Sequence, residues 1–449
     1  MMEYNSDDLI AALATVRGRS AIAVIRTSGF GCVDAIAKIF SRPKVLVNSE
    51  GNRVCHGWLL RDDSEKIDEV LLTVFRGPLS YTGEDSVEIS CHGGLVISDV
   101  IMNLLRSIGF RDAAPGEFSF RAFFNGKMDL TQAEAVREII EARTDRGRAL
   151  ALSRLGGSVR LLINAVLDGL KKQAAIASLA LDYPEDEVER IDFDLDEIRF
   201  CRESLERLVG TWRTGRLYQE GIKVTLAGPV NAGKSSLFNL FLREERSIVT
   251  EKPGTTRDWV EAWVNHDGIP MLLIDTAGLR TDVTDAVEME GIRRTRELIA
   301  SSDLVVALAD GAAGHSRLRE FEQLGLEVED GRLIRVWNKV DLAPDAPPGW
   351  IGVSAKTGVG FSDLITEISF RAAGATPERN APVINSARQR TLLLRAIKAL
   401  DNFRVDMGIP IDLLAEDLHE ALDALGELVG AVKRTDVLDL VFSNFCVGK

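Results

Sequence analysis

The sequence predicts a multi-domain protein of mixed α/β and α character. An α+β domain comes first, then a helical domain in two separated pieces, with a mostly parallel α/β domain inserted between the pieces. Three observations lead there. The chain has 449 residues, more than one hydrophobic core organises. The spacing of apolar residues changes character near residues 126 and 218. The helical spacing that stops near residue 217 resumes near residue 374. The expected segments are 1–125, 126–217, 218–373 and 374–449.

In the first segment, short β-like runs such as "AIAVIRTSG" and "VLLTVFRGPLS" lie between Gly-rich turns, as in α+β domains. The second opens with "LTQAEAVREIIEARTDRGRALALSRL", where Ala, Val, Ile and Leu recur at helical intervals. Gly156 and Gly157 interrupt the pattern, and "VRLLINAVLDGLKKQAAIASLALDY" resumes it. In the third, the apolar strands "IKVTLA", "MLLID", "DLVVALAD", "RLIRVWN" and "WIGVSA" alternate with helical stretches, the pattern of a parallel sheet covered by helices. Asp267-Gly268 is a hairpin signal, so one antiparallel strand is expected. In the fourth, "RTLLLRAIKALDNFRVDM" and "IDLLAEDLHEALDALGELVG" are helical again. A domain is readily inserted into another when its own termini lie close together.

Hydrophobic residues make up 45% and charged residues 27%, a balance typical of soluble globular proteins. Charges interrupt the apolar runs, so no membrane span is expected. The acidic start "MMEYNSDD" lacks the basic region of a signal peptide. The five cysteines are widely spaced and include no Cys-x-x-Cys pair, so neither a disulfide framework nor a zinc site is indicated. A reducing, cytoplasmic setting follows. The net charge of -14 excludes a protein that grips nucleic acid with its whole surface, yet leaves room for a local basic patch.

Four motifs stand at the ends of the predicted strands. "LAGPVNAGKSS" matches the phosphate-binding pattern GxxxxGK[ST] through Gly228, Gly233, Lys234 and Ser235. Its glycines let backbone N–H groups converge on phosphates, Lys234 supplies a point charge, and the Ser235 hydroxyl suits magnesium. Asn231, Ala232 and Ser236 complete the stretch around the phosphates. Asp275, Thr276, Ala277 and Gly278 end the strand "MLLID"; the carboxylate can hold magnesium through water and the Gly278 N–H can reach a terminal phosphate. Asn338, Lys339 and Asp341 of "NKVD" suit a guanine base, because a carboxylate accepts two N–H bonds that adenine does not offer. Ser354, Ala355 and Lys356 close the base pocket. All four in order resemble the Ras-like GTPase superfamily, with GTP and Mg2+ as ligands.

Ras-type enzymes place a water-orienting Gln directly after the Asp-x-x-Gly motif. Leu279 stands there and bonds no water. The stretch Thr250, Glu251, Lys252, Pro253, Gly254, Thr255, Thr256, Arg257, Asp258 resembles the first switch of potassium-activated GTPases, in which a phosphate-loop Asn and loop carbonyls hold a monovalent cation. Read on their own, Asn231 also suits a turn and the stretch a solvated loop.

The terminal "FSNFCVGK", the N-terminal "SYTGEDSVEISCHGG" and "PGEFSFRAFFNGKMDLTQAEAV" resemble the tRNA-modification GTPase family known as MnmE or TrmE, over essentially all 449 residues. The resemblance implies an N-terminal domain that forms a homodimer and binds a tetrahydrofolate derivative, 5-formyl or 5,10-methylene. It places folate contacts at Arg26, Glu88, Lys127 and Lys449. Taken alone, Glu88 also suits a surface strand and Lys127 a helix start. It places K+ at Asn231, Thr250, Lys252 and Thr255, where Lys252 departs from the aliphatic residue expected, and Mg2+ at Ser235 and Thr256. Glu288 becomes the water-activating residue, beside Asp285 and Glu290, with Lys234 and Asp275 as the other catalytic groups. It further implies tRNA as substrate and a flavin-dependent partner resembling MnmG (GidA), the pair modifying C5 of the wobble uridine, with no membrane involved. Cys446 falls on the family's C-terminal cysteine and is assigned no role. The G domain alone also resembles that of a ribosome-assembly GTPase, which would be a regulator without modification chemistry.

Overall fold

In the computed structural model, residues 8–61, 65–182, 192–248, 260–276, 296–313, 331–373, 381–405 and 409–431 are described, with 293 and some positions in 438–448. The chain divides into two compact units, residues 1–137 with 419–449, and residues 138–418.

The first unit is built on a mixed six-stranded sheet. Its strands are β1 (Ile10–Leu13), β2 (Ile22–Ser28), β3 (Arg53–Arg61), β4 (Glu65–Phe75), β5 (Ser86–His92) and β6 (Arg111–Asp112), in the order β3-β4-β5-β2-β1-β6. All neighbours are antiparallel except β1 and β6. Register decides which side chains meet. Leu72, Ile89 and Ile25 stand in one row across β4, β5 and β2, and Thr73, Glu88 and Arg26 in the next. Successive residues of a strand face opposite sides. The first row is therefore core, packed with Val33 and Ile36 of the helix Cys32–Ala37 and with Ile101 and Leu105 of the helix Leu95–Ser107. The second row faces the side where Ile10, Ala12, Ala113 and Phe118 cluster beside Tyr81. The C-terminal segment belongs to this unit: Phe442 packs edge-on against Phe120 at 5.6 Å and lies 6.2 Å from Phe123.

The second unit holds a seven-stranded sheet. Its strands are β7 (Ile222–Ala227), β8 (Arg246–Ile248), β9 (Val260–His266), β10 (Ile269–Asp275), β11 (Leu304–Asp310), β12 (Leu333–Asn338) and β13 (Ile351–Val353), in the order β13-β12-β11-β7-β10-β9-β8. From β13 to β10 all neighbours are parallel. The antiparallel strand expected from Asp267-Gly268 is β9, and β8 adds a strand the spacing did not announce. Asp267 and Gly268 have φ of 48° and 86°, the pair of left-handed residues that a two-residue hairpin needs to match strand twist. β11 is buried on both faces, which is why "LVVALA" reads as an unbroken apolar run.

Helices of the same unit share this core. Leu150, Leu217, Tyr218 and Val383 join Val224, Leu273 and Val306 in one cluster. One expectation needs correction here. The helical run Asp145–Asp182 is long and apolar enough, by length and composition, to cross a membrane. Its apolar residues have a nearer use: Val159, Ile163, Val166, Leu170, Ala174 and Ala177 fall three or four apart on one face and are buried within the protein.

A buried ion pair ties the helical elements together. Arg154, 1% exposed, donates through Nε to Glu138 Oε2 at 2.9 Å and through Nη1 to the Val383 carbonyl at 3.2 Å. Glu138, 4% exposed, also accepts from Asn385 Nδ2 at 2.8 Å. Removing one partner strands a charge out of water, which costs about 3–5 kcal/mol. Glu138→Ala is accordingly expected to lower the urea midpoint by that equivalent. Glu138→Gln, which keeps an acceptor, should lose less. Unfolding curves of the three proteins at one pH check the ranking.

Candidate functional site

The parallel strands β7, β10, β11 and β12 run the same way, so their carboxyl ends gather at one edge of the sheet, where open α/β sheets bind ligands. β7 leads into the phosphate loop, and the helix Lys234–Glu244 follows. Asn231 has φ of 64° and Gly233 φ of 96°. Asn tolerates that region because its short polar side chain bonds locally. Gly233 has a second constraint: a Cβ there would sit 2.1 Å from Asn338 Nδ2, so no other residue fits without displacing Asn338.

Lys234 is buried, and its Nζ donates to the carbonyls of Gly228 and Pro229, both at 2.8 Å. Burial pulls its pKa below the usual lysine value, and the Asp275 carboxylate opposes that shift. Asp275 is itself buried at the end of β10, in register with Leu226, and Thr276 Oγ1 donates to the Leu226 carbonyl at 2.9 Å. Ser235 and Ser236 stand in the first turn of the helix, both exposed. A helix start bearing N–H groups, an ammonium and a hydroxyl forms an anion site with a hard-cation ligand beside it. Ser235 and Asp275 are oxygen donors of the kind magnesium takes.

The base side is held by Asn338. Its Nδ2 donates to the Ala232 carbonyl at 2.8 Å, and its Oδ1 accepts from the Ala355 N–H at 3.0 Å. Asp341 is exposed, and its Oδ1 accepts from Ser354 Oγ at 2.7 Å, so the serine aims the carboxylate. Ser354 Oγ also accepts from the Thr357 N–H at 3.2 Å. Lys339, with φ of 68°, donates to Asp310 at 2.6 Å. Sequence reasoning missed Asp310; its signal was its place at the end of β11, level with the motif carboxylates. Lys356 is exposed beside the loop.

Structure therefore joins Asn231, Ala232, Gly233, Lys234, Ser235, Asp275, Asn338 and Ala355 along one sheet edge. Thr250–Thr256, Ala277–Leu279 and Glu288 lie outside the described residues, as does Lys449.

A second constellation lies in the N-terminal unit. Arg26 and Glu88 are cross-strand partners, and Arg26 Nε donates to Glu88 Oε1 at 2.9 Å. Arg26 Nη1 donates to the carbonyl of Gly448, near the chain's end, at 3.2 Å. The guanidinium also lies over the rings of Tyr81 at 5.3 Å and Phe118 at 5.8 Å. Burial raises the Tyr81 hydroxyl pKa, against the hydrogen bond with Ser119 and the charge of Arg26. Lys127 is exposed and donates to the Pro78 carbonyl at 2.8 Å, on the loop that carries Tyr81. A half-buried carboxylate fixed beside aromatic rings suits a flat heterocycle with adjoining N–H groups.

Of the five cysteines, four are buried and Cys446 is exposed. Burial pushes the Cys32 thiol up to about 12, and Cys91 and Cys201 to about 11, so these three are inert as nucleophiles.

Residues 9–127 match the family model described as the N-terminus of the GTP-binding protein TrmE, and residues 130–446 match the MnmE helical domain. The chain is 40% identical to the tRNA modification GTPase MnmE of Treponema denticola, over 100% of this chain and 99% of that protein. It is 40% identical to that of Symbiobacterium thermophilum, over 99% of this chain and 100% of that one. With that of Moorella thermoacetica it shares 39% identity, again over 99% and 100%. With both family models matched in order and full-length relatives on every side, the chain belongs to the MnmE family of tRNA modification GTPases.

Proposed function

We propose that this chain is a GTP-hydrolysing tRNA modification enzyme whose N-terminal unit carries a tetrahydrofolate one-carbon donor. With a flavin-dependent partner it uses that carbon at C5 of the wobble uridine of certain tRNAs, working in the cytoplasm as a homodimer. The observation that carries the reading is the convergence of Arg26, Glu88 and the Gly448 carbonyl in a unit separate from the nucleotide site. A GTPase that acted only as a ribosome-assembly switch has no use for it.

In the nucleotide site, Lys234 draws charge from the outer phosphates, and its buried setting strengthens that pull. Ser235, Thr256 and Asp275 would hold magnesium, which would polarise phosphate oxygens. Asn231, Thr250, Lys252 and Thr255 would hold potassium, which would supply positive charge to the phosphates. Glu288 orients the attacking water in place of the side chain Leu279 lacks. In the N-terminal unit, Arg26, Glu88, Lys127 and Lys449 would hold the folate, Glu88 as an acceptor for N–H groups and the lysines as partners for anionic groups.

Asp341→Asn is expected to weaken GTP binding and to gain xanthosine triphosphate, because the donor and acceptor pattern inverts. Calorimetry with both nucleotides decides it; unchanged GTP affinity overturns the base-pocket assignment. Calorimetry with 5-formyltetrahydrofolate should show binding to the intact protein. Glu88→Ala should weaken it roughly tenfold or more, the scale of one hydrogen bond to a charged group. Wild type without folate affinity removes the modification reading and leaves the GTPase. Potassium should accelerate hydrolysis over sodium at equal ionic strength by on the order of a hundredfold, the scale of one transition-state electrostatic contact. Asn231→Ala should erase most of that difference with GTP affinity kept. Equal turnover in the two salts refutes the cation site.

A further inference from the structure

We infer that an arginine-rich corner of the second unit, built around Trp212, is the surface on which this protein holds the phosphate backbone of RNA. The inference rests on the reading that its substrate is a tRNA. Two stretches break the acidic character of a chain whose net charge is -14. Residues 207–219 carry Arg207, Arg213 and Arg216 and no carboxylate. Residues 381–400 carry Arg388, Arg390, Arg395 and Lys398 and no carboxylate.

The fold brings these distant stretches together. Trp212 opens the helix Trp212–Glu220, and Arg390 lies in the first turn of the helix Ala387–Asn402. Arg390 sits over the Trp212 ring at 4.5 Å and Arg216 at 5.8 Å. Arg207, Arg213, Arg390 and Lys398 are exposed. The start of the helix Ala387–Asn402 thus shares one corner with several arginines, beside the helical junction at Thr211. Cations disfavour a helix start, so basic residues there work against local stability while adding to the pull on an anion.

Elsewhere on the helices of this unit, several exposed cations pair with carboxylates, among them Arg148 with Asp145, Lys171 with Asp168, Arg199 with Asp196 and Arg202 with Asp401. Among the described residues, Arg213 and Arg390 have no such partner. Arg216 pairs with Glu220 at 2.6 Å, but that pair is half exposed, and such pairs exchange partners at little cost.

The corner is also held rigidly. The Ile384 N–H donates to Thr211 Oγ1 at 3.1 Å, and Arg154 and Glu138 anchor Val383 and Asn385 from beneath. Arginine's planar fork matches a phosphate in two-point fashion. A protein partner would be read instead by apolar anchors ringed with polar groups. Here the large apolar side chain exposed along the Arg390 stripe is Leu394, at 42%.

The test uses the full chain and a transcribed tRNA with uridine at the wobble position, with binding followed by anisotropy across a salt series. Arg213→Ala combined with Arg390→Ala should weaken binding at low salt about tenfold or more. It should also flatten the salt dependence by about 0.7–0.9 in log–log slope for each phosphate no longer neutralised. Lys171→Ala with Lys172→Ala removes the same charge from another helix and should leave both quantities as in wild type. Arg213→Lys with Arg390→Lys should recover much of the affinity, and matched thermal midpoints report that each variant folds. If the double alanine variant binds tRNA as wild type does, the corner is not the RNA surface, while the modification reading stands. If it keeps tRNA affinity and loses a protein partner, the surface is a protein interface and the inference fails. A wild type that binds no tRNA removes both.

Discussion

Asn338 is the residue on which the nucleotide site depends. One amide group spans the two loops that must face opposite ends of a nucleotide, donating to Ala232 in the phosphate loop and accepting from Ala355 in the base loop. It is 2% exposed, so neither bond competes with water. The neighbouring elements are shaped to let it through. Gly233 has no Cβ because Asn338 occupies that space, and β12 and β13 are in register so that Asn338 stands opposite Val353, one residue before Ser354. Asp341 and Lys339 of the same motif then take their positions from Ser354 and Asp310. A leucine at 338 would have the same bulk, but it would leave the Ala232 carbonyl and the Ala355 N–H without this partner.

The N-terminal unit follows a similar rule with charge in place of an amide. Arg121, 1% exposed, lies between Glu84 at 3.0 Å and Glu117 at 3.1 Å. Glu117 also takes Arg111 at 2.7 Å. Burial alone would raise the Glu117 carboxyl pKa; the Arg111 hydrogen bonds, the Ala114 N–H and two guanidinium charges outweigh it and hold it below the usual value. The group is therefore ionised in the folded state at neutral pH, and the stability it contributes is lost only as pH falls through that lowered value. This network holds the loop that carries Tyr81, which in turn lies against Arg26. The convergence of Arg26, Glu88 and Gly448 is thus supported from behind by a buried ionic layer.

What was legible in the sequence was whatever depends on neighbours along the chain. The Asp267-Gly268 hairpin, the phosphate loop and the strand-end motifs are local, each fixed by turn geometry or by a strand running into a helix. The resemblance to a family pointed to Arg26 and Glu88; taken alone, Glu88 stayed open between a site and a surface strand. What escaped depends on residues far apart in the chain. Asp310 is 29 positions from the Lys339 it pairs with, Glu138 is 247 from Asn385, and Arg26 is 422 from Gly448. The apolar helix Ser158–Asp182 shows a related point: a membrane and a protein core ask for the same residues, and only the packed fold separates them.

The hairpin β9–β10 joins two functions through one piece of backbone. Its seven-residue β10 strand carries Asp275 at one end and Ile269 at the other, roughly 20 Å apart. At the hairpin turn, Thr144 Oγ1 donates to the Gly268 carbonyl at 2.8 Å, and the Arg143 guanidinium lies 3.7 Å from the Trp263 ring centre. Nearly every residue of β10 is buried, and it is hydrogen-bonded on both edges, by β7 and β9. A strand so packed does not bend locally, because close-packed interiors transmit displacement more readily than they absorb it. Asp275, at the end of the strand beside the phosphate loop, and the Gly268 carbonyl, which meets the helical part of the unit, are therefore opposite ends of one stiff segment. A shift of the carboxylate along the strand axis must either move the Thr144 contact or break it.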